Sequence, residues 1–205
     1  MPATGSSAKS SGLHRRTVVR TLLADRGDLL VVAGLGAPAW DATDAGDHPL
    51  TFPLWGGMGG ATAIGLGLAL AQPDRRVLVL TGDGELLMGM GSLATVGVQR
   101  PRNLALVVLD NEHYGETGMQ PSHTAFGVDL AAAAKACGFH SSAQITTLNE
   151  VAALREAVHR AEGPLFVQIK IVADKLPLVL PPRDGAHLKN RFREALLGND
   201  AYFQR

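Results

Sequence analysis

Among 205 residues there is a single cysteine, Cys137. One thiol excludes an internal disulfide framework, and the seven histidines fall in no metal-finger spacing, so a reducing, cytoplasmic setting is the simpler expectation. Net charge is also missing. Nineteen basic and nineteen acidic residues cancel, which removes the electrostatic footprint of a nucleic-acid surface or a polybasic membrane anchor and leaves room for a local anion site. Long apolar runs are absent as well. The stretch "ATAIGLGLALA" is eleven residues long, short of the roughly twenty needed to span a bilayer. The opening "MPATGSSAKSSGLHRR" has no apolar core of signal-peptide length behind it, and residues 1–12 are expected to be a disordered lead-in.

What remains is a chain with 46% hydrophobic residues, enough for one sizeable globular domain, expected over 13–198 with a short tail at 199–205. Apolar runs at Leu29 to Ala33, Val77 to Leu80, Leu104 to Leu109 and Leu165 to Val172 have the length of strands buried on both faces. Stretches with apolar residues three or four apart predict helices at 17–25, 59–71, 93–99, 130–137, 148–161 and 188–197. This alternation predicts an α/β fold, a three-layer doubly wound parallel sheet. Ligands in such folds gather outside the carboxyl ends of the strands, where "GLGAPAW", "WGGMGG", "TGDGE" and "NEHYGETGM" collect the glycines. The tail "LPLVLPPRDG" predicts an extended wrap leading to the last helix.

In "VVAGLGAPA", Gly34, Gly36 and Ala39 match the glycine spacing of a dinucleotide fingerprint. That motif must open directly into a helix. The segment after Pro38, "WDATDAGDHP", is dense in turn formers and predicts none, so nicotinamide binding is set aside. No Walker lysine follows any glycine loop.

"TGDG" is more informative. Gly82 and Gly84 let the backbone turn sharply beside a ligand, while Asp83 projects a hard oxygen from a strand end. That is half a site for magnesium, which takes one or two protein carboxylates and fills its octahedron with phosphate and water oxygens. Asn111, at the end of "LALVVLDN", offers a second oxygen at the tip of what would be the neighbouring strand. Taken singly, "GDG" also reads as a tight turn and "DN" as a helix cap.

Together, Gly-Asp-Gly followed twenty-five residues later by Asp110-Asn111 resembles the thiamine diphosphate signature of the thiamine-dependent decarboxylase superfamily, which normally ends in Asn-Asn. The segment "LWGGMGGATAIGLGLALAQPDRRVLVLTGDG" resembles that family's aminopyrimidine-receiving region. "GLGAP", "GDHPLTFPLWGGMG", "DNEHYGETGMQPSH" and "DGAHLKNRFREALL" are most similar to the small subunit of sulfopyruvate and phosphonopyruvate decarboxylases, over about 13–197.

The resemblance implies a thiamine diphosphate-binding fold and a set of roles. Asp83, Asn111 and the backbone oxygen of His113 would hold Mg²⁺. Gly82 belongs to the same turn, and the amides of Gly84 and Glu85 would add donors to the diphosphate. The carbonyl of Gly56 would face the pyrimidine amino group, and Met58 would be the wedge beneath the bent cofactor. Gly57 stands where the family has a serine. Tyr114, Thr117 and Gly118 would belong to the loop closing over the diphosphate, with Thr117, Glu116 and His113 as candidate catalytic groups. His123 is open to either a structural or a catalytic reading, and Trp55 is a candidate for narrowing the acyl pocket.

The family's activating glutamate has no match here, since the seven glutamates fall in the metal loops or on predicted surface helices. It is therefore expected on a pyrimidine-binding partner subunit in a hetero-oligomer. The implied function is the diphosphate-binding subunit of a lyase that cleaves a 2-oxo acid or related acyloin to an aldehyde. Two alternatives stand beside it: a subunit of a thiamine-dependent 2-oxoacid oxidoreductase or dehydrogenase, and a non-catalytic module of the same fold.

Overall fold

A computed structural model describes residues 12–203. The expected lead-in therefore lies outside the described residues except for Gly12, and so do the last two residues of the tail. In chain order the elements are α1 (Arg15–Leu23), β1 (Leu30–Ala33), α2 (Ala37–Asp44), β2 (Thr51–Pro53), α3 (Ala61–Ala71), β3 (Val77–Gly82), α4 (Asp83–Met88) and α5 (Ser92–Gln99). They continue with β4 (Leu104–Asp110), the small hairpin β5 (His113–Tyr114) and β6 (Gln120–Pro121), α6 (Leu130–Ala136), β7 (Ser141–Ile145), α7 (Leu148–Arg160), β8 (Leu165–Lys170) and α8 (Gly185–Leu197).

Six strands form one parallel sheet in the order β2-β1-β3-β4-β8-β7. Successive residues of the central strands feed opposite cores. Ala105, Val107 and Leu109 pack with α1, α2 and α7, whereas Leu104, Leu106 and Val108 pack with α3, α5 and α6. Such strands read as continuous apolar runs because both faces are covered, which is why the four central ones are legible in the sequence. Among the described residues, no helix is long and apolar enough to cross a membrane.

Three features depart from the sequence-based expectations. Residues 37–44 form a helix, α2, although the run of turn formers predicts none. Pro38 lies in its first turn, where a missing N–H costs nothing because that donor has no intrahelical partner, and the fixed φ already suits a helix. Strand β2 is only three residues long, and β7 is an edge strand with mostly exposed residues, so neither carries a buried-strand pattern. The segment before α8 carries no regular secondary structure, and α8 begins at Gly185 because the Asp184 carboxylate caps the amides of Ala186 and His187.

The order of strands fixes the position of the site. From β1 the chain moves outward to β2, then returns past β1 to lay down β3. The loops after β1 and β3 thus diverge and leave a crevice between their carboxyl ends. The α2 N-terminus opens from one side of that crevice and the Gly82–Asp83–Gly84 turn from the other.

Candidate active site

A cleft of about 390 Å³ fills this crevice and runs on towards the β5–β6 hairpin. Its lining includes Met58, Gly82, Asp83, Gly84, Glu85, Asn111, His113, Tyr114, Glu116 and Thr117. The residues singled out at two strand ends in the sequence therefore meet in one place. Gly56, Gly57 and Gly118 are exposed and lie outside the lining. His123 is also exposed and outside it, at the start of a 3-10 turn. Trp55 also lies outside the lining; its indole N–H donates to Pro182 O at 2.7 Å, and Arg183 lies 5.6 Å from its ring centroid.

Asp83 is buried in the first turn of α4. Its Oδ2 accepts a hydrogen bond from the Ser122 hydroxyl and lies 3.3 Å from Thr124 Oγ1. Burial raises its pKa above the ordinary carboxylate range; the Ser122 hydrogen bond opposes this and the charge of Asp110 adds to it. The single Thr124 proton goes to the nearer Asp110 Oδ1 at 2.7 Å, and its oxygen lies beside Asp83 Oδ2, so this hydroxyl sits between the ends of β3 and β4.

The structure accounts for the aspartate that stands in place of the first asparagine. The Asp110 side chain is fully buried and receives Gln168 Nε2 at 2.5 Å, Lys170 Nζ at 2.9 Å and the Glu112 amide at 3.0 Å. Lys170 pairs in turn with Glu112. Asp110 is thus a buried anion matched by a cation from the adjacent strand, absent from the cleft lining. Next to it, Asn111 lines the cleft. Its Oδ1 accepts from the His113 amide at 3.0 Å, and His113 Nδ1 lies 2.8 Å from Asn111 O. This local turn holds the Asn111 oxygen and the His113 backbone together at the mouth of β4.

Glu85 carries a signal that the sequence did not yield. Its carboxylate is 3% exposed and accepts from Thr81 Oγ1 at 2.7 Å. Burial raises its pKa, opposed by Thr81 and by the amides of Ala61, Gly59 and Leu35. Those amides point towards the carboxylate, but Oε1 forms no hydrogen bond of good geometry. Glu85 thereby ties the loop after β1 to the loop before α3.

The two glycines of "GLGAP" make room for acids rather than for a dinucleotide. A Cβ on Gly34 would sit 1.8 Å from Glu85 Oε2, and one on Gly36 would sit 1.7 Å from Glu116 Oε1. Glu116 is raised by burial too. On the opposite wall, a Cβ on Gly84 would come within 2.5 Å of the Tyr114 ring, so the hairpin presses closely on the Gly-Asp-Gly turn. Sequence reasoning also missed Leu35, Ala37, Pro38 and Arg15, all of which line the cleft. Detecting the first three required recognising α2.

The donor set is hard oxygen from Asp83, Asn111 and the nearby backbone, flanked by amides at the start of two helices. Such a set suits a divalent cation carrying an anion. Residues 40–169 match the family model described as thiamine pyrophosphate enzyme, C-terminal TPP binding domain. The chain belongs to that family.

Among curated relatives, it is 36% identical to the sulfopyruvate decarboxylase subunit beta of Methanothermobacter thermautotrophicus, over 91% of this chain and 97% of that one. It is 37% identical to the phosphonopyruvate decarboxylase of Streptomyces viridochromogenes, over 81% of this chain but 42% of that longer one. The solved structure of benzoylformate decarboxylase from Polynucleobacter necessarius superposes with a TM-score of 0.68 at 22% identity, covering 87% of this chain and 36% of that one. The likeness confirms the expected fold. This TPP-binding domain thus spans nearly the whole of that β subunit and about a third of the benzoylformate decarboxylase chain.

Proposed function

We propose that this chain is the diphosphate-binding subunit of a two-subunit, magnesium-dependent thiamine diphosphate decarboxylase acting on a small 2-oxo acid. The single observation that carries the reading is the convergence of Asp83 and Asn111, from the ends of adjacent strands, on one cleft that the α2 N-terminus also reaches. Likeness to a β subunit along almost its full length supports the two-chain arrangement.

With Oδ2 of Asp83 engaged by Ser122, Oδ1 is the oxygen that Asp83 would offer to Mg²⁺. The Asn111 side-chain oxygen and the His113 carbonyl would be the other protein ligands, and diphosphate oxygens and water would complete the shell. The Gly84 and Glu85 amides and the first amides of α2 would donate to the diphosphate. Met58 would support the cofactor from below. The exposed Gly56 and Gly57 would meet its pyrimidine where the partner covers them.

Thiamine diphosphate, when bound, supplies the nucleophilic carbon and the electron sink needed to break the bond to the carboxylate. The residues of this chain orient it and exclude water. Tyr114, Glu116 and Thr117 would close over the diphosphate from the hairpin. Thr117 is braced there by its hydrogen bond to Gln120 Oε1 at 2.9 Å. A pyrimidine-activating glutamate would come from the partner, because Glu85 is enclosed by Thr81 and three loop amides and Glu116 lies against α2.

The test is to purify the chain together with the product of a companion reading frame and assay 2-oxo acids for carbon dioxide and aldehyde. Activity should require both chains, thiamine diphosphate and magnesium. Turnover by this chain alone, or by the pair after complete chelation of metal, would refute the reading.

A further inference from the structure

Arg15 has no part in the roles above, yet it lines the cleft. It opens α1 at the carboxyl end of the sheet, across from the Gly82–Asp83–Gly84 turn, and is only 5% exposed. A guanidinium so deeply placed is costly unless paired, and Asp41 on α2 provides the pair. Arg15 Nη1 donates to Asp41 Oδ1 at 2.5 Å, while Arg15 Nε lies 3.6 Å from Asp174 Oδ1, outside hydrogen-bond range. Among the described residues, nothing accepts a hydrogen bond from Arg15 Nη2.

The neighbouring acids have further partners. Arg16 Nε lies 3.3 Å from Asp41, Arg20 Nη2 lies 2.8 Å from Asp44, and His14 Nδ1 lies 2.9 Å from Asp174. Arg15 is therefore not the sole counter-charge of this cluster. Inside the cleft the balance differs. The lining carries Asp83, Glu85 and Glu116, and among the described residues Arg15 is its only arginine or lysine. An anionic ligand entering a site with three carboxyl groups needs a fixed positive charge, and a planar fork with unspent donors suits a group with several equivalent oxygens.

We propose that Arg15, oriented by Asp41, is a binding residue that anchors a tetrahedral oxyanion (phosphate, phosphonate or sulfonate) in the cleft. The proposal rests on the reading of the site as a thiamine diphosphate cleft. Two sources offer this chemistry: the terminal phosphate of the cofactor, and a second acid group on the 2-oxo acid substrate.

The test compares wild type, Arg15→Lys and the double variant Arg15→Met/Asp41→Asn, which removes the cation and its buried counter-charge together. Calorimetry with inorganic pyrophosphate and Mg²⁺ on the chain alone, and with thiamine diphosphate on the two-subunit complex, reads the first source. KM for 3-sulfopyruvate against KM for pyruvate, at saturating cofactor, reads the second.

An anchor for the cofactor weakens pyrophosphate and thiamine diphosphate binding by about ten- to a hundredfold in the double variant and leaves the ratio of the two KM values unchanged. An anchor for the substrate raises KM for 3-sulfopyruvate by a similar factor while KM for pyruvate and both binding constants hold. Arg15→Lys, which keeps Asp41 paired, shifts the same quantity in the same direction by a smaller factor, and it decides the matter if the double variant does not fold. Binding constants and KM values within about twofold of wild type would overturn the proposal. So would a fall in kcat for both substrates with a lowered melting temperature and unchanged binding, the mark of a purely structural clamp. A wild-type complex that binds pyrophosphate but decarboxylates nothing refutes the parent function alone, and the pyrophosphate constants of the variants still decide the role of Arg15.

Discussion

The two ends of the parallel sheet are built on opposite terms. At the amino end side-chain donors close backbone carbonyls: Asn103 Nδ2 serves those of Ala69, Gln72 and Arg75 at 2.8–3.0 Å, and Arg76 reaches those of Val158, Ala161 and Arg102, while Arg26 Nε has no hydrogen-bond partner. These side chains close the ends of α3 and α7 and tie them to the strands. At the carboxyl end, four carboxyl groups, Asp41, Asp83, Glu85 and Glu116, are raised by burial, and one oxygen each of Asp41 and Glu85 has no hydrogen-bond partner. One end contributes stability. The other gives some of it up for an arrangement that the proposed cation and diphosphate would complete.

Helix α3 shows the same contrast across its width. Its inner stripe of Ala61, Thr62, Gly65, Leu66 and Ala69 is buried, and a Cβ on Gly65 would meet Val79 at 2.0 Å. Its outer stripe, Ala63, Ile64, Gly67 and Leu70, carries no charge and is exposed, with open space beside Gly67. Helix α7 buries Val151, Leu154 and Val158 and turns a charged face to solvent behind a Thr147–Glu150 capping box. An amphipathic helix of that kind is complete in one chain, whereas a helix apolar all round fits a place between two subunits.

The contrast between the ends can be broken from either side. The largest effect is expected from Asp83→Ala, which should abolish magnesium-dependent binding of thiamine diphosphate by calorimetry while leaving the melting temperature of the ligand-free chain unchanged or higher. At the other end, Asn103→Ala should leave binding intact and lower unfolding free energy by about 2–3 kcal/mol, since buried carbonyls lose their donor; chemical denaturation measures it. On α3, Gly65→Ala should cost about 1–3 kcal/mol by overpacking against Val79. Gly67→Ala should instead stabilise the lone chain by up to about 1 kcal/mol and weaken association with the partner, as read by analytical ultracentrifugation.

A smaller effect is expected from pH. Asp83 and Glu85 hold protons in the folded, ligand-free chain at pH values where the unfolded chain has lost them. Their contribution to stability is therefore present below the ordinary carboxylate range and is lost as pH rises through their elevated folded pKa values. Melting temperature of the ligand-free chain should fall across that window, and the fall should be shallower in Asp83→Asn. A melting curve that rises with pH there would contradict the account.

The sequence made the central sheet legible because buried parallel strands write uninterrupted apolar runs, as in "LALVVL". It made the meeting of Asp83 and Asn111 in one cleft legible because a carboxylate between glycines at one strand end was matched by an asparagine at the end of the next strand. Strand β7 was hidden by its exposed edge position, and α2 by local composition that a Pro38 in the first turn overrides. The parts of the site that escaped notice, Arg15, Leu35 and the buried carboxyl of Glu85, depend on α1 and α2 folding back to the sheet end. No local pattern records that approach, and the short side of it shows only as glycine at positions 34 and 36.

The measurement that bears most directly on the central claim is an anomalous-scattering map of the two-subunit complex, crystallised with thiamine diphosphate and with manganese in place of magnesium. The account expects one metal peak bridging the diphosphate, about 2.1 Å from side-chain oxygens of both Asp83 and Asn111. A diphosphate bound in the cleft with its metal away from either side chain would contradict it.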